Sequence, residues 1–196
     1  MCGFAGYAGE REYDTSVIRK MTDKIRHRGP DSQDAFIEGK VGLGFVRLSI
    51  IDLEGGSQPM FNEDKNLVLI FNGELYNFQD IRKELVEAGH VFTTHTDSEI
   101  LLHGYEEWGK EGLLGRLRGM FAFVIFDRTK KTLFGARDHF GIKPFYYYHK
   151  DGTFLFGSEI KSFLAHPDFQ KELFEEKLPD FMTFGCIPGA ETFFRN

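Results

Sequence analysis

The second half of the sequence consists of short apolar segments joined by tight polar turns, and this spacing limits the folds open to the chain. Apolar residues fill 120–126, and strand-like segments cover 132–137, 145–149 and 153–157. The turn at 150–152 contains an Asp-Gly pair, which is typical of a β-hairpin. Strands joined by turns this short pair in antiparallel fashion, so the spacing predicts antiparallel sheets.

The first half alternates predicted strands with amphipathic helices. Strands are predicted over 2–8, 41–51 and 67–71, and helices after Asp14 or Thr15, from Asn77 to Gly89, after Asp97 or Ser98, and over 159–165. A Gly-Pro-Asp turn is predicted within 28–32. Helices that bracket antiparallel sheets define the α+β class, and the 22 phenylalanines suit a core between two sheets.

Length, charge and cysteine content exclude several classes of protein. At 196 residues the chain fits one large domain, and two cysteines cannot form a disulfide framework. The net charge of −6 argues against nucleic acid or an anionic membrane as the main partner. The sequence shows neither a basic leader nor an apolar run long enough to span a membrane, so we expect a cytoplasmic protein with reduced thiols.

Familiar phosphate and zinc motifs are missing. The sequence contains no GxxxxGK[ST] loop, and Gly42-Leu43-Gly44 lacks the third glycine of a dinucleotide-binding loop. The two cysteines are 184 positions apart, and the seven histidines form no HExxH motif. These absences argue against a kinase, a dehydrogenase or a zinc hydrolase, and no metal site is predicted.

Cys2 lies where the chain terminus can activate it. A lone cysteine is most often a small buried apolar residue. Removal of Met1 would leave a thiol and a free α-amine on one residue, with reference pKa values of about 8.5 and about 7.7–8.0. The amine could then accept the thiol proton near neutral pH, as in other nucleophiles activated by a terminal amine. If Met1 is retained, the thiol lacks this base.

Four further residues could serve such a nucleophile. The Asn72 amide and the Gly73 N–H could converge on a developing oxyanion, although Asn-Gly is also a common turn. Arg47 could hold a carboxylate with two hydrogen bonds, or could pair with Asp52 at the surface. Asp97 could accept from an ammonium group, or could be an ordinary helix N-cap. Together they suggest a pocket for a zwitterionic amino acid whose side-chain carbonyl meets a thiolate.

A series of short motifs runs in order through nearly the whole chain. The motifs are Met1-Cys2-Gly3-Phe4 with Gly6, 26–32 (RHRGPDS), 47–52 (RLSIID), 58–60 (QPM), 71–77 (FNGELYN), 96–99 (TDSE), 119–123 (GMFAF), 136–138 (ARD) and 141–144 (GIKP). In this order they resemble the glutaminase domain of class II glutamine amidotransferases, the N-terminal nucleophile hydrolases. RGPD and FNGELYN resemble the branch of the glutamine-hydrolysing asparagine synthetases, and Phe45 departs from it, since many synthetases carry His there.

The resemblance implies a four-layer αββα sandwich and hydrolysis of L-glutamine to glutamate and ammonia through a thioester. It implies that Cys2 is the nucleophile and that its α-amine is the base. Asn72 and Gly73 would form the oxyanion hole. Arg47 would bind the glutamine carboxylate, and Glu74 and Asp97 would bind its ammonium group. No metal or organic cofactor is implied for this half-reaction. His27, Arg137, Asp138 and Lys143 also lie in family motifs, and we expect structural roles for them.

The resemblance also implies a partner domain. We assign residues 1–186 to the amidotransferase domain and 187–196 to the start of a linker towards a synthetase domain absent from this sequence. ATP and magnesium are expected only in that domain, where ammonia would convert aspartate to asparagine. Two alternatives are a synthetase with another acceptor and a glutamine-binding module with little turnover. A homodimer is left open, and Cys186 is expected to be an inert thiol.

Overall fold

A computed structural model describes residues 2–48 and 56–195 of the chain. Within these residues the strands are β1 (Gly3–Ala8), β2 (Ser32–Glu38), β3 (Val41–Arg47), β4 (Met60–Phe61), β5 (Leu67–Leu75), β6 (Gly119–Asp127), β7 (Thr132–Arg137), β8 (Tyr146–Lys150) and β9 (Thr153–Gly157). The α-helices are α1 (Thr15–Asp23), α2 (Phe78–Glu87), α3 (Glu99–Arg116) and α4 (Leu178–Phe184). Short 3₁₀ helices cover Arg26–Arg28, Ile160–Ala165 and Glu175–Lys177.

The strands form two sheets in which the paired strands run antiparallel. One sheet has the order β2-β3-β1-β9-β8, and the other has the order β4-β5-β6-β7. In the first sheet, Phe4 of β1 is opposite Phe45 of β3. In the second, Asn72 of β5 is opposite Ala122 of β6. The antiparallel pairing predicted from the short turns is confirmed.

Alternation of side chains divides the core into three apolar layers. In β1, Phe4 faces the other sheet, whereas Ala5 and Tyr7 face α1. In β5, Val68 and Ile70 face the first sheet, and Leu67, Leu69 and Phe71 pack towards α2 and α3. One apolar layer lies between the two sheets, and another lies between each sheet and the helices that cover it. The molecule therefore has four layers of secondary structure, in the order helices, sheet, sheet, helices. The αββα sandwich expected from the resemblance is therefore observed.

β5 continues past its apolar run and carries Asn72 and Gly73 within the strand. The predicted strand ended at residue 71, but pairing with β6 continues to Leu75. Strand pairing at these positions makes the turn interpretation of Asn-Gly wrong. A side chain at Gly73 would place its Cβ 2.5 Å from the Met120 carbonyl oxygen, so close approach of β6 requires glycine here.

Several elements differ from the sequence predictions. A turn was predicted at residues 28–32, but no strand was predicted after it. In the structure β2 begins at Ser32 and lies at the edge of its sheet. Its side chains are mixed and half-buried, so the sequence shows no clear alternation of apolar and polar residues. The helix predicted over 159–165 is a 3₁₀ helix, Ile160–Ala165. β4 and α4 were not predicted. The extended segment expected beyond residue 48 lies outside the described residues.

Residues 187–195 fold back on the C-terminal helices. The Phe194 ring packs on Phe169, and the Phe193 ring packs on Phe181. Arg195 pairs with Glu172, 3.4 Å away. The division into a domain over 1–186 and a linker over 187–196 stays a prediction. Within the described ranges, every helix is too short or too polar to cross a bilayer.

His166 makes stability depend on pH. Its ring is 3% exposed and packs against Tyr7 and Tyr13, while its Nδ1 accepts from the Asp168 N–H at 3.2 Å. Burial lowers the pKa of His166 to about 4 against the opposing effect of Asp168. Because the pKa is lower in the folded than in the unfolded chain, this stability is present above about pH 6.5 and is lost towards pH 4.

We expect this titration to disappear in His166→Phe. Between pH 7 and pH 4, the unaltered chain should lose about 3 kcal/mol of unfolding free energy more than the variant does. Urea unfolding at stepwise pH measures both chains, and the carboxylates titrate alike in the two. Parallel pH profiles would contradict a neutral, buried His166.

Candidate active site

The predicted site residues meet where the layer between the two sheets ends. Arg47 lies two positions after Phe45, and Asn72 lies two positions after Ile70, so each shares the face of an inter-sheet core residue. Cys2 has the same relation to Phe4. Since Gly3 pairs with Val46, continuing the register brings Cys2 opposite Arg47.

A cavity of about 400 Å³ opens at this place, a size suited to a small molecule. Its walls contain all six predicted site residues. The lining residues are Cys2, Phe45, Arg47, Leu48, Gly56, Gln58, Phe71, Asn72, Gly73, Glu74, Thr96, Asp97, Ser98, Met120 and Lys143. A larger cavity of about 740 Å³ lies between β7, β8 and residues 186–193, away from Cys2.

The position of Cys2 is held from two sides. Its Sγ lies 3.4 Å from the Leu48 N–H donor and 3.5 Å from the Leu48 carbonyl oxygen. Its own carbonyl oxygen accepts from Arg28 Nε at 3.0 Å, and Arg28 also pairs with Glu159 at 3.0 Å. The half-buried thiol therefore sits at a fixed place on the cavity wall.

The Asn72 amide is a buried donor without a partner. Asn72 is 2% exposed, and its Nδ2 makes no hydrogen bond to any described residue. An unsatisfied buried N–H group costs about 1–3 kcal/mol, so such groups are rare outside binding sites. A ligand oxygen in the cavity would satisfy this donor.

Gln58 fixes the strand that carries Asn72. Its side-chain Nε2 donates to the Phe71 carbonyl oxygen at 3.1 Å, and its Oε1 accepts from the Phe71 N–H at 2.5 Å. Gln58 lies two positions before Met60, which is opposite Leu69, so its buried side chain extends the pairing of β4 with β5 as far as Phe71. Gln58 belongs to the QPM motif, but it was not predicted as a functional residue, because nothing in the sequence shows which backbone group a glutamine meets.

Two carboxylates form the acidic side of the cavity. Asp97 Oδ2 accepts from the Leu75 N–H at 2.8 Å. Burial raises the pKa of Asp97, and the nearby Glu74 carboxylate raises it further. Helix α3 begins at Glu99 with Ser98 in the N-cap position, so the interpretation of Asp97 as the N-cap is wrong. A cation bound beside both carboxylates would stabilise their charged forms.

Arg47 lines the same cavity. The residue is 9% exposed, and a Cβ at Gly56 would lie 2.7 Å from one of its guanidinium nitrogens. The alternative partner, Asp52, lies outside the described residues. A buried guanidinium and two carboxylates in one cavity suit a ligand that carries both charges.

The other motif residues mostly brace the backbone. The Asp138 carboxylate accepts from the backbone N–H groups of Phe121, Phe140, Ile142 and Lys143. Arg137 donates to the Lys143 carbonyl oxygen at 2.7 Å, and His27 pairs with Glu159. Lys143, for which a structural role was expected, also lines the cavity.

Comparison with known proteins identifies the family of the chain. The family model described as a glutamine amidotransferase domain matches residues 1–196. Asparagine synthetase [glutamine-hydrolyzing] 3 of Bacillus subtilis is 42% identical over 200 residues, covering 98% of this chain and 32% of that protein. Asparagine synthetase [glutamine-hydrolyzing] 1 of Bacillus subtilis is 43% identical over 198 residues, covering 98% and 31%. The chain thus spans about a third of the length of these relatives.

A solved structure supports the fold independently. Glutamine phosphoribosylpyrophosphate amidotransferase from B. subtilis matches with a TM-score of 0.69 and 23% identity, over 84% of this chain and 43% of that chain. From the family match and the identities to the synthetases, we conclude that this chain belongs to the glutamine amidotransferase domain family.

Proposed function

We propose that this domain hydrolyses L-glutamine to glutamate and ammonia through a thioester on Cys2. The observation that carries the proposal is the buried Asn72 Nδ2, which has no hydrogen-bond partner among the described residues and lines the same cavity as the Cys2 thiol. A donor left unsatisfied beside a nucleophile is what stabilisation of an oxyanion requires. Arg47 would bind the glutamine carboxylate, and Asp97 with Glu74 would bind its ammonium group.

The chemistry follows from these positions. After removal of Met1, the α-amine of Cys2 takes the thiol proton, and the thiolate attacks the glutamine Cδ. The Asn72 amide and the Gly73 N–H stabilise the oxyanion. Collapse breaks the C–N bond, and the α-ammonium protonates the departing ammonia. Water then attacks the thioester with the amine as base, which releases glutamate and restores the thiol. This cycle needs a reduced thiol, which favours a cytoplasmic location.

Replacement of Cys2 should abolish turnover. We expect Cys2→Ala to lower glutamate release by at least about 10⁴-fold, because the nucleophile is lost. Cys186→Ala, which removes the exposed second thiol, is the matched control and should keep full activity. Coupled assay of glutamate and ammonia measures both, after mass spectrometry has shown that Met1 is removed.

Calorimetry with L-glutamine separates catalysis from binding alone. Saturable binding to the unaltered chain without product would favour the glutamine-binding module. Unchanged release of glutamate from Cys2→Ala would exclude the thioester.

Loss of the Asn72 donor should reduce the rate more than the binding. We expect Asn72→Ala to lower kcat by about 10²–10³-fold with KM little changed, because the amide meets charge that develops only in the transition state. Asn66→Ala removes an exposed amide from the turn before β5 and serves as control. A rise in KM at constant kcat would instead assign Asn72 to ground-state binding.

We further infer that the ammonia reaches a synthetase domain that forms asparagine from aspartate and ATP. Two findings support this. The synthetase relatives are about three times as long as this chain, and Phe140 and Ile142 expose apolar side chains, 91% and 57%, beside the cavity residue Lys143. Two neighbouring apolar side chains this exposed favour a surface that a partner covers.

Isotope transfer tests the acceptor. We expect a full-length protein that carries this domain to move ¹⁵N from the glutamine amide into asparagine when aspartate and Mg-ATP are present. Mass spectrometry of the products measures the transfer. Label in another amide would favour the alternative acceptor, and label in free ammonia alone would contradict transfer.

A further inference from the structure

A second cluster of chemically active side chains lies away from the cavity. His90 follows the end of α2, and His103 and Glu106 lie one turn apart on α3. One ring nitrogen of each histidine and one carboxylate oxygen of Glu106 lie within 4.8 Å of one another. Packing of α2 against α3 thus brings together residues that are 13 positions apart in sequence.

The contact between His103 and Glu106 has the geometry of two metal ligands. His103 Nδ1 lies 3.3 Å from Glu106 Oε2, which is long for a charge-assisted hydrogen bond. Two ligands each about 2.0 Å from a tetrahedral ion are about 3.3 Å apart. His103 is 1% exposed, and its Nε2 makes no hydrogen bond to a described residue. Carboxylate oxygens of Glu63 and Glu99 lie 3.6 Å from this nitrogen, beyond hydrogen-bond distance.

The outer atoms of the ligands have polar neighbours. Glu106 Oε1 accepts from Asn62 Nδ2 at 2.7 Å. His103 Nε2 lies 3.6 Å from Glu99 Oε1, and the Thr93 N–H donates to that same oxygen at 2.8 Å. A carboxylate behind a ligating histidine, itself held by hydrogen bonds, is the usual outer support of a metal site.

We propose that His90, His103 and Glu106 bind a divalent transition metal ion of the zinc class, with water as the fourth ligand. Two imidazoles and one carboxylate favour zinc over magnesium or calcium, which prefer oxygen ligands alone. The ion would tie the segment after α2 to α3. Because that segment leads to Asp97, the metal would stiffen one wall of the cavity without contacting it.

A proton competes for the same position. Burial lowers the pKa of His103, but Glu106 and Glu99 outweigh burial and raise the pKa to about 9. Because the metal must displace this proton, titrations are run at pH 8.5 and the measured affinity includes the loss of the proton. The thiols are removed with Cys2→Ala and Cys186→Ala, so that sulfur cannot bind the metal.

Zinc chloride titrated by calorimetry into this thiol-free chain should bind at one equivalent. We expect His90→Ala and Glu106→Gln, which change partly exposed side chains, each to weaken binding at least about 10-fold. His95→Ala, an exposed histidine in the same segment, is the matched control and should bind normally. Cobalt(II) should show the intense visible bands of a tetrahedral site in the control and lose them in His90→Ala.

Two results would overturn the proposal. One is the absence of stoichiometric zinc binding, which would leave His103 as an imidazolium paired with its carboxylates. The other is equal affinity in His90→Ala and His95→Ala, which would place any bound zinc elsewhere. Circular dichroism of each variant confirms that it is folded, so that weakened binding reports the ligand and not the fold.

Discussion

Alternation of side chains across two stacked sheets is the constraint on which the rest of the molecule depends. Every second residue of β1, β3 and β5 enters the layer between the sheets. While those positions are apolar, they build the core. Where Phe4, Phe45 and Ile70 give way to Cys2, Arg47 and Asn72, the same face lines the candidate site. The core that holds the sheets together therefore also sets the spacing of the candidate site residues.

The Gln58 side chain supplies hydrogen bonds that strand pairing does not provide. β4 is only two residues long, so its backbone pairs with β5 at Leu69 and Val68 but not at Phe71. The Gln58 side chain supplies both missing hydrogen bonds. Each such bond contributes about 1 kcal/mol, whereas an unmade one costs about 1–3 kcal/mol. The backbone just before Asn72 is thereby held without a longer strand that would cover the cavity.

The sequence predicted local patterns well and contacts between distant segments poorly. Some elements could be predicted from their own residues alone. They are the apolar runs at 67–71 and 120–126 and the hairpin turn at 150–152, and all three are observed. Whether Asn72-Gly73 turns or continues a strand depended on β6, which is about 50 residues away. The Asp97 carboxylate likewise accepts from the Leu75 N–H of β5, 22 positions away in the sequence. Gln58 and the pair His90–His103 carried no local signal, because their partners are set by tertiary packing.

Two groups in the candidate site lie in unfavourable states, and one ligand would relieve both. Asn72 Nδ2 is buried with no acceptor among the described residues, and burial together with the nearby Glu74 carboxylate raises the pKa of Asp97. A carbonyl oxygen satisfies the first, and an ammonium group stabilises the second. Both groups line the same cavity, so a molecule with both features would regain part of the free energy that they cost the fold. An amino acid with a side-chain amide has both, which is why a site that destabilises its own domain can be selective.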